Sequence, residues 1–171
     1  DVYQRGFLSI EDSHKSIELP DGYSMELVLS EPQVEEPVDM AWDGNGVLYV
    51  VEMRTYMKTA DATDEQEPLS RLSRHEDTNG TGKYDKSTVF IDKILLPRMV
   101  LPLDDRVMVG ITNTLDLWNY SDSDGDGVAD QKTKIFAGGG RGGNMEHQPS
   151  GLIWGLDNWI YITYQNVRYR Y

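Results

Sequence analysis

Pro37-Val-Asp-Met-Ala-Trp42-Asp-Gly-Asn-Gly-Val-Leu48-Tyr49-Val50 returns 112 residues later as Pro149-Ser-Gly-Leu-Ile-Trp154-Gly-Leu-Asp-Asn-Trp-Ile160-Tyr161-Ile162. Pro matches Pro, Trp matches Trp, and Leu-Tyr-Val matches Ile-Tyr-Ile. A weaker copy runs from Leu96 to Val109, 59 residues after the first. Each copy reads as a strand, a tight turn (Asp43–Gly46, Pro102–Asp105, Gly155–Asn158) and a second strand.

A second element alternates with these hairpins. Asp77-Thr-Asn79-Gly-Thr81-Gly82-Lys-Tyr-Asp85 recurs 45 residues on as Asp122-Ser-Asp124-Gly-Asp126-Gly127-Val-Ala-Asp130. A strand-like run follows each, at Ser87–Ile91 and Thr133–Ala137. A period of roughly 45–60 residues with about four strands per unit is the mark of a β-propeller. The expectation is therefore an all-β chain of about three blades, fewer than the roughly 4–8 of a closed ring. Either the chain is part of a longer protein or other chains complete the ring. A β-sandwich with chance similarity is the competing architecture.

Helical periodicity is nearly absent. One short helix is expected near the start, with Ser9 as N-cap, Asp12 at N3 and a run to about Ile17, ended by Pro20, Asp21 and Gly22. Residues 1–22 thus read as a lead-in and 23–171 as blades. Strands are expected at Ser24–Ser30, Val47–Met53, Val107–Ile111 and Trp159–Tyr164. The acidic stretch Met57–Ser70 reads as a surface loop. Trp42, Trp154, Tyr49 and Tyr161 recur at matched positions and read as packing core, whereas Trp159 takes the place of the small Val47 and reads as exposed.

The pattern D-x-D-x-D-G-x-x-D is a calcium loop in outline. Ca²⁺ takes roughly 6–8 oxygens, and Gly127 permits the sharp turn that folds alternate positions around an ion. Asp122, Asp124 and Asp126 would give side-chain oxygens, Val128 its carbonyl, and Asp130 would close the shell directly or through water. Four carboxylates in nine residues repel one another without a counter-ion. Thr133 stands where an EF-hand has its bidentate Glu, and no helices flank the loop. The copy at Asp77, Asn79, Thr81 and Asp85 has two carboxylates. Two readings stay open for it: weak calcium binding, or turn shape alone held by Asx-type hydrogen bonds. Asn79-Gly-Thr81 and Asn119-Tyr-Ser121 also match the glycosylation sequon, a short pattern that often arises by chance.

Gly138-Gly-Gly140-Arg-Gly-Gly143 contains G-x-G-x-x-G but opens no helical pattern, so it reads as a flexible loop, with Arg141 a candidate anion contact. Glu146-His147-Gln148 precedes the last hairpin. A His beside a carboxylate is a reasonable general base, Glu146 orienting the ring of His147. A surface His without a role is the plainer reading. Glu52 and Arg54 end the first hairpin; an ion pair closing the strand is favoured over a channel-lining role. His14 and His75 have no evident partners and read as exposed.

The formal charge is −13, which argues against nucleic acid and suits a protein that holds divalent cations or works outside the cytoplasm. Apolar residues make up 39% and charged residues 26%, an ordinary globular composition. There is no cysteine, so disulfides, thiolate metal sites and a CxxCH haem attachment are excluded within these residues. No apolar run approaches the roughly 18 residues of a membrane span.

Glu31-Pro-x-Val34, Pro37-x-x-Met-Ala-Trp42-Asp43, Val51-Glu52-Met53-Arg54-x-Tyr56, Glu76-Asp77-Thr-Asn-Gly80 and the run from Glu146 to Tyr161 resemble the N-terminal propeller of the membrane-bound dehydrogenase proteins of planctomycetes and related bacteria. Members of that family often continue into helical repeats and a cytochrome c domain. A more distant likeness is to the soluble quinoprotein glucose and aldose dehydrogenases, which carry an acid-His-Gln-Ser-Gly stretch ahead of a blade hairpin. This likeness implies calcium and pyrroloquinoline quinone (PQQ) as cofactors and a sugar or alcohol as substrate. It implies a cytochrome c electron acceptor and a periplasmic or extracellular location. His147 would be the base and Glu146 its orienting acid. Arg54, Arg141 and Gln148 are the candidate cofactor contacts. Here Pro149 is inserted before Ser150-Gly151, and Glu146 replaces Asp.

Overall fold

The computed structural model describes residues 6–142, 145–163 and 168–170. The strands form three antiparallel sheets, each in simple chain order. The first holds β1 (Pro37–Trp42), β2 (Leu48–Glu52), β3 (Ser70–Glu76) and β4 (Lys86–Ile94). The second holds β5 (Pro97–Pro102), β6 (Val107–Ile111), β7 (Leu117–Ser121) and β8 (Gln131–Phe136). The third holds β9 (Gly151–Trp154), β10 (Trp159–Ile162) and β11 (Arg168–Arg170). The chain is all-β but for α1 (Ile10–Lys15), where the Ser9 hydroxyl caps by accepting from the Asp12 N–H.

Directly opposed residues on antiparallel strands share a face. Trp42 faces Leu48 and Met40 faces Val50, while Ala41 faces Tyr49 and Asp39 faces Val51. The first set points outward, where Leu48 and Val50 are covered by Val34, with Leu29 and Tyr84 against them. The second set points at the next sheet: Tyr49, Val51 and Leu72 pack with Val100, Val107, Val109 and Tyr120. The second sheet repeats the arrangement. Its far face carries Met99, Met108 and Leu117, which pack on Leu152 and Ile160 of the third sheet. Every inner sheet face is thus paired with the next sheet, and β2, covered on both sides, is buried at all five positions. At the second junction the tip of Met99 fills the space over Gly110, its Cε 2.0 Å from where a Cβ would stand.

Several expectations are corrected. Ser24–Ser30 forms no strand, since no neighbouring strand offers it a ladder, and the first strand begins only at Pro37. Of the expected run to Tyr164, the strand covers Trp159–Ile162, and Tyr164 lies outside the described residues. Tyr49 is core, but Trp42, Trp154 and Tyr161 are exposed; Trp42 is 52% exposed and donates its indole N–H to the Tyr84 hydroxyl at 2.7 Å. Trp42 and Tyr161 lie on strand faces that no other sheet covers among the described residues, whereas Trp154 stands opposite Ile160, on the face packed against the second sheet, and projects beyond that contact. His75 is fully buried on β3, its ring nitrogens 2.8 Å and 3.0 Å from the hydroxyls of Ser87 and Ser73. Burial pushes its pKa down. His14 is exposed, with Nε2 2.9 Å from the Met25 carbonyl. The third strands, β3 and β7, carry no repeat signal; Ser70, Ser73 and His75 are buried polar residues that break the apolar pattern of a strand. Among the described residues, no helix is long and apolar enough to cross a membrane.

Candidate functional site

Because each sheet is a meander, its connections fall at two opposite edges. One edge carries the first-to-second strand turns and both Asp-rich loops, which join β3 to β4 and β7 to β8. The turn residues Asp43 and Asn45 of the first sheet, Asp104–Arg106 of the second and Asp122 line one cleft of about 210 Å³. The two sheets therefore present this edge side by side.

In the loop 122–130, one oxygen each of Asp122, Asp124 and Asp126 lies within 4.8 Å of the others. The backbone builds this convergence. Asp122 accepts the N–H groups of Gly125 (2.7 Å) and Gly127 (2.8 Å), and Asp126 accepts that of Val128 (2.8 Å). Gly125 and Gly127 supply the positive φ angles, 81° and 90°. Burial alone would raise the pKa of Asp122, but the N–H groups of Gly127, Gly125 and Asp126 outweigh it and hold the carboxyl below its ordinary value. Asp130 stands apart from this trio. Its oxygens accept the Ser123 N–H (3.0 Å) and the Ser123 hydroxyl. The trio offers three of the roughly 6–8 oxygens that a calcium ion takes, and Asp130 braces the turn through Ser123.

The loop also spans two sheets. The Gly127 carbonyl accepts the Thr88 hydroxyl at 3.2 Å, and the Ala129 N–H donates to the Phe90 carbonyl at 2.8 Å, both on β4. A Cβ on Gly127 would lie 3.1 Å from the Thr88 hydroxyl oxygen and 3.2 Å from an Arg74 guanidinium nitrogen. An acidic loop of one sheet is therefore seated on its neighbour, close to a positive charge.

The copy at 77–85 has the same brace. Asp85 accepts the Thr78 N–H and hydroxyl, each at 2.7 Å, and the Asn79 amide at 3.2 Å. Asp77 accepts from Thr81 (3.0 Å) and Gly82 (2.7 Å). Here Asn79 and Thr81 stand where the other loop has Asp124 and Asp126, and no carboxylate cluster forms among the described residues.

The opposite edge holds the catalytic candidates. Glu52 is fully buried and meets Arg71 through Oε1–Nε at 2.9 Å and Oε2–Nη2 at 2.8 Å. Arg54 pairs with Glu35 at 2.7 Å, and this guanidinium holds the Glu35 carboxyl below its usual range. Ion pairs close the strand end, as the residue types suggest. Gln148 is buried and accepts the Asn113 N–H at 3.0 Å. Arg141 donates from Nε and Nη2 to the His147 carbonyl at 3.1 and 2.6 Å. Glu146 and His147 are exposed beside it. Of the glycine-rich run, Gly140 bridges to Thr114, Gly143 lies outside the described residues together with Asn144, and no helix follows among those described. Sequence reasoning missed Glu35, which lies in no motif, and Arg98, which lies inside the weak hairpin copy Leu96–Val109 but matches no residue of the others; only the fold brings them to this edge.

The fold and the loop geometry define an all-β protein of repeated antiparallel sheets with an acidic trio at one junction. The chain belongs to the family described as "Domain of unknown function (DUF7133)", whose family model matches residues 9–169. No curated protein and no solved structure matches it.

Proposed function

We propose that the chain forms consecutive blades of a calcium-stabilised β-propeller serving a sugar or alcohol dehydrogenase of quinoprotein type. The observation that carries the calcium part is the convergence of Asp122, Asp124 and Asp126 on a loop seated on β4. The propeller part draws on the head-to-tail packing of the sheets. The first sheet leaves Val38, Met40 and Trp42 exposed outward, and the third leaves Ile153 and Tyr161 exposed at the other end. Such heterologous stacking closes into a ring when the rotation per sheet allows it.

The dehydrogenase part draws on the resemblance of the Glu146-His147-Gln148 stretch. PQQ, when bound, supplies a two-electron acceptor. The chain's own contribution would be His147 taking the hydroxyl proton of the substrate, Glu146 orienting it, and Gln148 fixing the segment through Asn113. Arg54 and Arg141 would stand nearby as the anion contacts, in a periplasmic or extracellular protein passing electrons to a cytochrome c.

A second reading is a calcium-rigidified propeller module that binds protein or glycan without chemistry. The exposure of His147 and the Arg54–Glu35 pair favour it, since neither residue is held ready in a closed pocket. Dye reduction with aldoses and alcohols, in PQQ and calcium, on the full-length protein separates the two. The dehydrogenase reading expects turnover that His147→Ala lowers by a factor of about 100 or more. Absence of turnover in both proteins selects the binding module.

A further inference from the structure

Four arginines on both edges of the sheets set a standard for Arg98, which lies at the edge that carries His147. Arg54, Arg71, Arg74 and Arg106 each pair with a carboxylate: Glu35, Glu52, Glu76 and Asp105. Arg98, on β5, does not. Its Nε donates to the Thr112 hydroxyl at 2.7 Å and its Nη2 to the Met145 carbonyl. Thr112 is itself buried and passes its hydroxyl proton to the Leu96 carbonyl at 2.9 Å, so it is a neutral acceptor with no charge to offer. Among the described residues, no carboxylate lies within ion-pair distance of Arg98.

A half-buried guanidinium without a counter-charge is costly. Burial depresses the pKa of Arg98, and among the neighbouring groups only the Tyr56 phenol oxygen works against it. By contrast, the guanidinium pKa is raised at Arg71, where the hydrogen bond to Glu52 outweighs burial. At Arg74 it is raised too, with burial opposing the pull of Tyr49 and Glu76. The surroundings of Arg98 are polar and uncharged: Thr112 at the end of β6 takes its Nε–H, and the next residue, Asn113, donates its N–H to Gln148. The loop 57–69 reaches the same place, since Gln66 accepts the Asn113 amide at 2.7 Å. Arg141 holds the His147 carbonyl two residues beyond the Met145 carbonyl that Arg98 holds. The segment Met145–His147 is therefore fastened at both ends by guanidinium groups.

We propose that Arg98 is an anion-binding residue of this edge and takes a carboxylate group of a small-molecule ligand, beside the segment that presents Glu146 and His147. With Nε given to Thr112 and one Nη2 hydrogen to the Met145 carbonyl, the Nη1 and Nη2 end of the guanidinium is the fork left to match a carboxylate, and the bound anion restores the counter-charge that the protein withholds. This deepens the reading above by naming a chemical class for the ligand, and it shares with that reading only the location.

The test uses oxalate as the probe and chloride at equal ionic strength as the control, on calcium-free protein because oxalate precipitates calcium, with no quinone and no dye. Its failure and the failure of turnover are therefore separate results. Oxalate is expected to raise the melting temperature saturably and to shift the Arg98 Nε–H resonance in a ¹⁵N spectrum. Arg98→Gln should weaken oxalate binding by about tenfold or more, and Arg98→Lys by less, because the charge stays while the fork is lost. Equal binding by the wild type and Arg98→Gln overturns the proposal. Should both variants fail to fold, an Arg98 resonance in the wild type that oxalate leaves unmoved overturns it as well.

Discussion

In the loop 77–85, Asp85 takes the N–H and hydroxyl of Thr78; in the loop 122–130, Asp130 takes those of Ser123. Asp77 and Asp122 each accept the N–H of a glycine five residues on, Gly82 and Gly127. The positive φ angles also match, at 69° and 80° in the first and 81° and 90° in the second. The backbone thus makes the same turn twice. Among the described residues, only the second turn carries three converging carboxylates, and only the second is seated on a neighbouring sheet. Turn shape therefore does not need the ion. Asx-type hydrogen bonds suffice for it, and the additional acids are left over for another purpose.

The comparison is sharpened most by calcium itself. At a calcium concentration a hundredfold above Kd, binding contributes about 2.7 kcal/mol. For a chain of this size that is roughly 5–10 °C in melting temperature, abolished by a chelator and by Asp124→Ala together with Asp126→Ala. The same double change at Asn79 and Thr81, to Ala, should leave the calcium response untouched. Installing Asp at both of those positions should raise the calorimetric stoichiometry from one ion to two. A chelator-insensitive melt in the wild type breaks the distinction between the loops.

A smaller effect separates the glycines. Both Gly82 and Gly127 have positive φ, so Ala strains either by about 1 kcal/mol. At Gly82 the added methyl meets nothing within 4 Å; at Gly127 it meets Thr88 and Arg74. Gly127→Ala should therefore cost about 1 kcal/mol more than Gly82→Ala in urea unfolding, within the range of mild overpacking. Equal costs would show that the seat on β4 is loose.

The smallest effect is the acid limb. The Gly82 N–H, ahead of a weaker opposing burial, holds Asp77 below its ordinary value, and the Thr78 N–H and hydroxyl do the same for Asp85. A carboxyl depressed in the folded state stabilises it above the unfolded pKa of roughly 3.9, and that stability is lost as pH falls through the folded value. Carboxyl ¹³C titrations of Asp77 and Asp85 should show midpoints below that of an Asp in the unfolded chain. Ordinary midpoints would remove the hydrogen-bonded brace from the account of this loop.

Much of the fold was legible because the repeats are written in residues whose local chemistry is strong. Trp-turn-Leu-Tyr-Val fixes a hairpin by alternation and turn residues, and Val107–Ile111 is a strand with the expected bounds. Asp and Gly spacing fixes both loops without help from the rest of the chain. β3 escaped notice because its buried side chains include Ser70, Ser73 and His75, which satisfy one another or the backbone only after the sheet has formed.

What the sequence determined by itself, then, is the set of hairpins and tight acid-rich turns, because each is held by contacts a few residues apart. The tertiary structure alone decided which faces are covered, so that Tyr49 is buried and Trp42 is not. It also decided that Asp130 takes the N–H and hydroxyl of Ser123, and that Arg98 meets no carboxylate among the described residues. Burial and charge pairing are set by atoms brought together from distant positions, and no local pattern encodes them.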